Sequence, residues 1–597
     1  ARSGRVAEAI TAYEQLFADR TRVLGPDAPD TLFTRNNLAG LLGRSGRVVE
    51  AIAAFEQLLA DLRRVLGPDA PHALTARSNL AGLLGESGRV AEAIAAYEQL
   101  LADQIRILGP DAPQTQTTRD SLASWFATSG RVVEAIAGYE QLLADRTRVL
   151  GPDSSDTLAT RNTLASLLAG AGRLAEAITA FEQLLADQRR VLDPDAPQTL
   201  ATRDSLAFWL GESGRVAEAI TAYEQLLAVQ SRMLGPDDPG TLATRRNVAA
   251  LLGRSGRVAE AITAYEQLLA DQCRVLGADA PDSLATRDSI AELLCRSGRV
   301  AEAVAAYEHL LADQCRVLGP DATDTLETRQ TLARSLGESG RLAEAITAFE
   351  QLWADQVRVL GEDAPDTLAT RSNLARWLGR SGRVAEAIGA LEQLWADQVR
   401  VLGADAPDTL TTRNNLAGWL GRSGRVAEAI TAFEQLLADR TRLLGPDHPD
   451  TLATRSNLAW ALGESGRVAE AITAFEQLLA DQRRVLGSDD PQTLFTRSNL
   501  AGSLGRSGRV AEAITAFEQL LADQRRVLCP DDPQTLFTRS NLAGLLAESG
   551  RLAEAVTAFE ELLADRTRLL GPEAPQTVTT RNNLDWLEQR RSDREES

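Results

Sequence analysis

Three histidines, four cysteines and a dense, regularly spaced set of acids and arginines are the groups in this 597-residue chain that could do chemistry. His72, His309 and His448 lie far apart. None has a partner at metal-ligand spacing, and neither H-E-x-x-H nor G-x-S-x-G occurs, so each reads as structural. Cys273 and Cys315 are 42 residues apart, Cys295 and Cys529 are isolated, and no pair has C-x-x-C spacing. Free, scattered thiols suit a reducing compartment, and a cytoplasmic protein is expected. Glu50 and Glu56 are a carboxylate pair of the kind that general acid–base catalysis uses. The same pair returns as Glu92 and Glu98, then as Glu134 and Glu140, and Arg35, Arg47 and Arg64 return with it. Asp61 also recurs, except where Val229 replaces it. Many identical pairs on helix surfaces read as an ion network between repeats, not as an active site, and exposed pairs contribute only about 0–1 kcal/mol each.

The sequence contains no lysine. That excludes a P-loop and a Schiff-base amine within these residues. Lys+Arg total 63 against 83 Asp+Glu, and the net charge of -20 argues against nonspecific nucleic-acid binding. No stretch approaches the roughly 18 apolar residues of a membrane span. The expectations are no catalysis, no cofactor, no metal, no nucleic acid and no membrane.

The elements that carry these ladders follow a fixed period. Ser-Gly-Arg begins at Ser3, Ser45 and Ser87, and the frame of 42 continues, with Ala171-Gly-Arg as one variant, to Ser507 and Ser549, giving fourteen starts without insertion or deletion. A constant period between 20 and 50 residues marks a solenoid. In the copy from Thr31 to Pro71, Pro29-Asp30-Thr31 signals a helix start with a capping side chain, and Leu32, Leu38, Ala39 and Leu42 recur at helical spacing. Gly46 ends this first helix as a left-handed residue. A second helix follows, with a stripe through Val48, Ile52, Phe55, Leu59, Leu62 and Leu66, before Gly67-Pro68-Asp69-Ala70-Pro71 turns the chain back. Neither stripe can be buried by one copy alone; stacked copies form a continuous core.

Asn36-Asn37-Leu38-Ala39, Gly46, Ala51 and Phe55 resemble the tetratricopeptide repeat. The Leu-Gly-Pro-Asp-x-Pro-Asp-Thr loop, closest at Leu444 to Thr451, is similar to the 42-residue version seen in kinesin light chains and many bacterial proteins. The resemblance covers residues 1–590. It implies an all-α fold: an α-solenoid of about fourteen helix-turn-helix repeats wound into a right-handed superhelix, whose first helices line a concave groove that binds a protein or extended peptide. Residues 591–597 read as a polar tail, and the last helix, with Asp585 and Trp586, as a cap.

Counted on the family's positions, the groove is lined by the series of Phe33, Asn36, Asn37, Gly40, Gly43 and Arg44. The Asn37 position holds only Asn, Ser or Thr, with Asn at Asn37, Asn79, Asn247, Asn373, Asn415, Asn457, Asn499, Asn541 and Asn583. In the family this amide reaches the backbone of a bound peptide; its alternative is a bond to the adjacent helix. The Gly40 position varies most, and includes Phe208, Arg334, Arg376 and Trp460. Around Arg334, Arg376, Arg380 and Arg422 the charged groove positions become almost wholly basic, with Trp353, Trp377, Trp395 and Trp419 in the same stretch. Arg and Trp are enriched in binding hot spots, although Trp377 and Trp419 stand where other copies have core leucines. The chain begins mid-copy, so its Val6–Ile10–Tyr13 stripe is expected to lack cover on one side. Two readings follow: the sensor or interaction region of a larger protein, or a free-standing scaffold capable of end-to-end self-association.

Overall fold

The computed structural model describes residues 2–595, with side chains over 6–590, so the tail read at 591–597 lies outside the described side chains. The chain divides into two compact units, Ala1–Ser297 and Gly298–Ser597. The first holds fourteen helices, from Arg2–Leu24 to Pro281–Arg296, and the second holds another fourteen, from Val300–Val317 to Pro575–Glu595. No strand occurs among the described residues. Within each unit every helix packs on its sequence neighbours, and first helices also touch the next first helix. That is an α-solenoid.

A typical copy shows why. Pro29 opens the first helix, Pro29–Arg44, where its missing N–H costs nothing. The expected side-chain cap is absent there: the residue before the helix is Ala28, and Asp30 and Thr31 lie inside it. Elsewhere the cap is present, as at Asp490, which accepts from the Gln492 N–H at 2.8 Å. His448 plays the same part; its Nδ1 accepts from the Asp450 N–H at 3.2 Å. Gly46, at φ +85°, makes the sharp step into the second helix, Val48–Val65.

The second helix buries Ile52, Phe55, Leu59 and Leu62 as the spacing predicts, and also Ala51 and Leu58. The stripe is wider than expected because helices pack on both sides of it. Leu66 falls outside it, 40 % exposed, because the helix has already ended. In the opening helix Ile10 is buried by the following helices, while Leu16 is 39 % exposed where its counterpart Leu58 is fully buried. Burying one Phe or Leu is worth about 1.5–3 kcal/mol, and these layers repeat in every copy.

The ladders divide into a local part and a bridging part. Glu386 pairs with Arg383 three residues before it at 2.6 Å, and its counterparts do the same, so this set is intrahelical. The bridging set is made by aspartates. Arg371 of a first helix bonds Asp397 of the following second helix at 2.6 Å, and Arg400 bonds both Asp397 (3.3 Å) and the loop residue Asp363 (2.7 Å). Each second helix is thereby tied to the loop that follows the preceding one. Hydrogen bonds from Arg371 hold the Asp397 carboxyl below the usual carboxylate range, against the opposing effect of burial.

Candidate peptide-binding groove

The groove positions predicted on helices Pro365–Arg380, Pro407–Arg422, Pro449–Glu464 and Pro491–Arg506 converge on one cavity of about 570 Å³. Its wall contains Asn373, Arg376, Arg380, Asn415, Arg422, Asn457, Trp460 and Asn499. Three arginines and no carboxylate line it. The neighbouring Ser372, Asn414, Ser456 and Gly418 belong to the same groove series. Leu391 and Phe433 of the second helices also line it, as do Trp419 and Phe495, the latter more than half exposed.

Close approach between first helices sets the arginines. Gly337 lies against the Trp377 indole, where an added Cβ would stand 2.7 Å from the ring, and Gly379 lies against Trp419, at 2.2 Å. Only glycine admits an indole this near. Trp377 is fully buried, so the tryptophan is a packing residue. It also serves the groove: the guanidinium carbons of Arg376 and Arg380 stand 5.0 and 4.7 Å from the Trp377 ring centroid, and Arg422 stands 4.9 Å from that of Trp419. Cation–π contacts of this kind are worth about 0.5–1 kcal/mol at exposed sites, enough to restrict long side chains that would otherwise sweep freely. Trp353 and Trp395 are separate from this cavity. They sit on second helices beside Arg371 and Arg413, at 5.6 and 6.0 Å.

The asparagine ladder is partly engaged within the protein. The Asn457 amide donates to the Asn414 carbonyl oxygen of the preceding copy at 3.0 Å, the adjacent-helix bond that was the alternative to peptide contact. The alternation of Glu and Arg at the Arg44 position has a similar use, since Arg254 pairs with Glu212 at 2.8 Å and Arg506 with Glu464 at 2.5 Å. Arg380 and Arg422 stack on indoles instead. Arg334 is exposed on helix Thr323–Glu338, and Asn541 lies on helix Pro533–Glu548; neither lines the cavity. Asn37, Asn79 and Asn247 belong to the first unit. Sequence patterning pointed to the first-helix wall; it gave no signal for Leu391 and Phe433, which reach the cavity from the layer behind.

No helix among the described residues is long and apolar enough to cross a membrane. No curated protein matches the chain. Among solved structures, the kinesin light chain nearly identical TPR-like repeats of Podosopora anserina are 29 % identical, covering 34 % of this chain and 97 % of that one, with a TM-score of 0.32. BtubC (BKLC) from P. vanneervenii is 19 % identical, covering 38 % of this chain and 92 % of its own, with a TM-score of 0.34. The tetratricopeptide repeat model matches residues 1–64, 34–105, 72–146, 114–190, 156–232, 198–273, 276–352, 408–484, 461–526 and 534–597, and a second model of that description matches 367–408. Repeats of this kind mediate protein–protein interaction and are generally non-catalytic. With matches along nearly its whole length, the chain belongs to the tetratricopeptide repeat family.

Proposed function

We propose that this chain is a non-catalytic recognition module that grips an extended peptide in the groove between Asn373 and Asn499. The observation that carries the reading is the cavity wall itself, where three indole-braced or neighbouring arginines meet a row of asparagines and no acid. An amide offers both donor and acceptor, so Asn373 and Asn415 can hold a main chain without reading its sequence. Arg376, Arg380 and Arg422 then select acidic side chains, and Trp460 with Phe495 accept an aromatic or aliphatic one. The protein is strongly acidic, at -20 overall, so the basic patch attracts and orients an acidic ligand while the acidic surfaces elsewhere repel it. Such a module serves as the sensor or interaction region of a larger protein.

The test uses fluorescein-labelled extended peptides that differ only in bearing acidic, basic or apolar side chains. Acidic peptides carrying one aromatic should bind tightest at low salt. The double change Arg376→Glu with Arg380→Glu should weaken them by about tenfold or more, about 1.4 kcal/mol, with helicity unchanged by circular dichroism. Unaltered affinity in that variant would place recognition elsewhere, with the Phe208 region next.

A further inference from the structure

The aspartate ladder breaks once, and the break leaves a built cavity. In the copies that keep the aspartate, the first-helix arginine bonds a second-helix aspartate 26 residues on, as Arg245 bonds Asp271 and Arg161 bonds Asp187, both at 2.7 Å. Arg203 meets Val229 at that position. It makes no hydrogen bond or ion pair with any described residue, and its Nε is buried without a partner. The nearby Asp195 is taken by Arg232 at 2.6 Å. Burial, and after it the charge of Arg189, push the Arg203 pKa down, with Asp195 opposing.

Arg203 faces a cavity of about 300 Å³ between second helices Leu174–Val191 and Val216–Met233. Arg189 stands in the same wall, and Leu185, Leu206 and Ala222 supply its apolar part. The one acid there, Glu182, pairs with Arg215 at 3.8 Å. The equivalent cavity around Arg413, of about 460 Å³, differs in charge: Asp439 neutralises the arginine at 2.7 Å.

We infer that the cavity at Arg203 is a carboxylate site, in which an aliphatic acid from outside the fold takes the place of the missing aspartate. The planar guanidinium of Arg203 binds the carboxylate through paired N–H donors, Arg189 adds a second positive charge at the mouth, and the leucines and alanine cover the methylene stem. A glutamate side chain of a partner protein and a free short-chain monocarboxylate share this chemistry. The site lies between two second helices, with Arg203 and Leu206 reaching it from a first helix, and shares no residue with the groove.

The intact protein titrated with sodium butyrate, against sodium chloride at matched ionic strength, tests it. A saturable rise in melting temperature is expected. Val229→Asp, which restores the residue that other copies carry, should weaken the apparent affinity at least tenfold, and Arg203→Gln should abolish the response. A blocked Gly-Glu-Gly peptide that binds more tightly than butyrate assigns the occupant to a partner's side chain; equal or weaker binding assigns it to the free acid. Inorganic phosphate binding as well as butyrate would overturn the carboxylate assignment. Equal butyrate responses in the wild type and Val229→Asp, or a response surviving in Arg203→Gln, would overturn the site.

Discussion

Helices Pro365–Arg380 and Pro197–Glu212 occupy the same place in two copies and solve the same packing problem differently. In the former, Gly379 receives an indole, Arg371 has its aspartate, and Arg376 and Arg380 point into the groove braced on Trp377. In the latter, Gly211 receives only the end of Leu251, Arg203 has no acid, and the groove position carries Phe208, stacked edge-on against Trp209 at 4.9 Å. The backbone tolerates both. What changes is where charge is exposed: towards the groove in one copy, between the second helices in the other. A repeat scaffold can thus relocate a recognition surface by a few side chains while its frame stays constant.

The largest expected effect comes from filling the glycine. Gly379→Ala puts a methyl 2.2 Å from the Trp419 ring and should cost about 1–3 kcal/mol. Gly211→Ala meets the flexible tip of Leu251 at 3.0 Å, so its cost should be clearly smaller. Chemical denaturation of the two variants decides this; equal costs would mean the indole is not the tight contact. Removing the acid from the intact ladder comes next. Asp439→Val recreates the Arg203 situation at Arg413, and an arginine that is mostly buried and left unpaired should cost about 1–2 kcal/mol. No loss of melting temperature there would show that the ladder is ornamental.

The smallest effect is in pH. Hydrogen bonds from arginines hold Asp397 and Asp363 below the ordinary aspartate value of about 3.9. A carboxyl whose folded pKa is depressed stabilises the fold above its unfolded pKa and loses that contribution as pH falls through the folded value. The melting temperature should therefore be flat from about pH 7 to 5 and drop below about pH 4. Amide exchange, corrected for its intrinsic rate, should accelerate at acid pH in helix Val384–Val401 more than in helix Val216–Met233, whose Val229 has nothing to protonate.

The period, the two helices of each copy and most buried stripe positions were legible because they rest on repetition and 3.6-residue spacing alone. The loop was less so. Gly67 turns the chain at φ +88°, but Asp193 and Cys529 occupy that position without a positive φ. There the chain leaves its helix through an extended Leu192 (φ −109°, ψ 166°) or Leu528 (φ −110°, ψ 164°). Asp193 then accepts from the Asp195 N–H at 2.9 Å. One motif thus has two backbone solutions, which a string of residue types does not distinguish. In the groove the arginine cluster could be read from position counting, because first-helix residues repeat in register. The bracing of Arg376 and Arg380 by one buried indole could not, since it depends on Gly337 a full copy earlier giving way to Trp377.

The bond from Arg400 back to Asp363 has a mechanical meaning. Within each unit, copies hold one another only through neighbours, and each such clasp crosses one loop. Stretched from its ends, such a unit should yield as a ratchet, one clasp at a time. Each step should pay out 42 residues, or about 14 nm of extended chain. Force–extension traces with evenly spaced rips of that length would match this picture; one large rip per unit would mean that the copies fail together. A tether of this kind lengthens under load in fixed increments, and an incremental spring is a property that no single copy possesses.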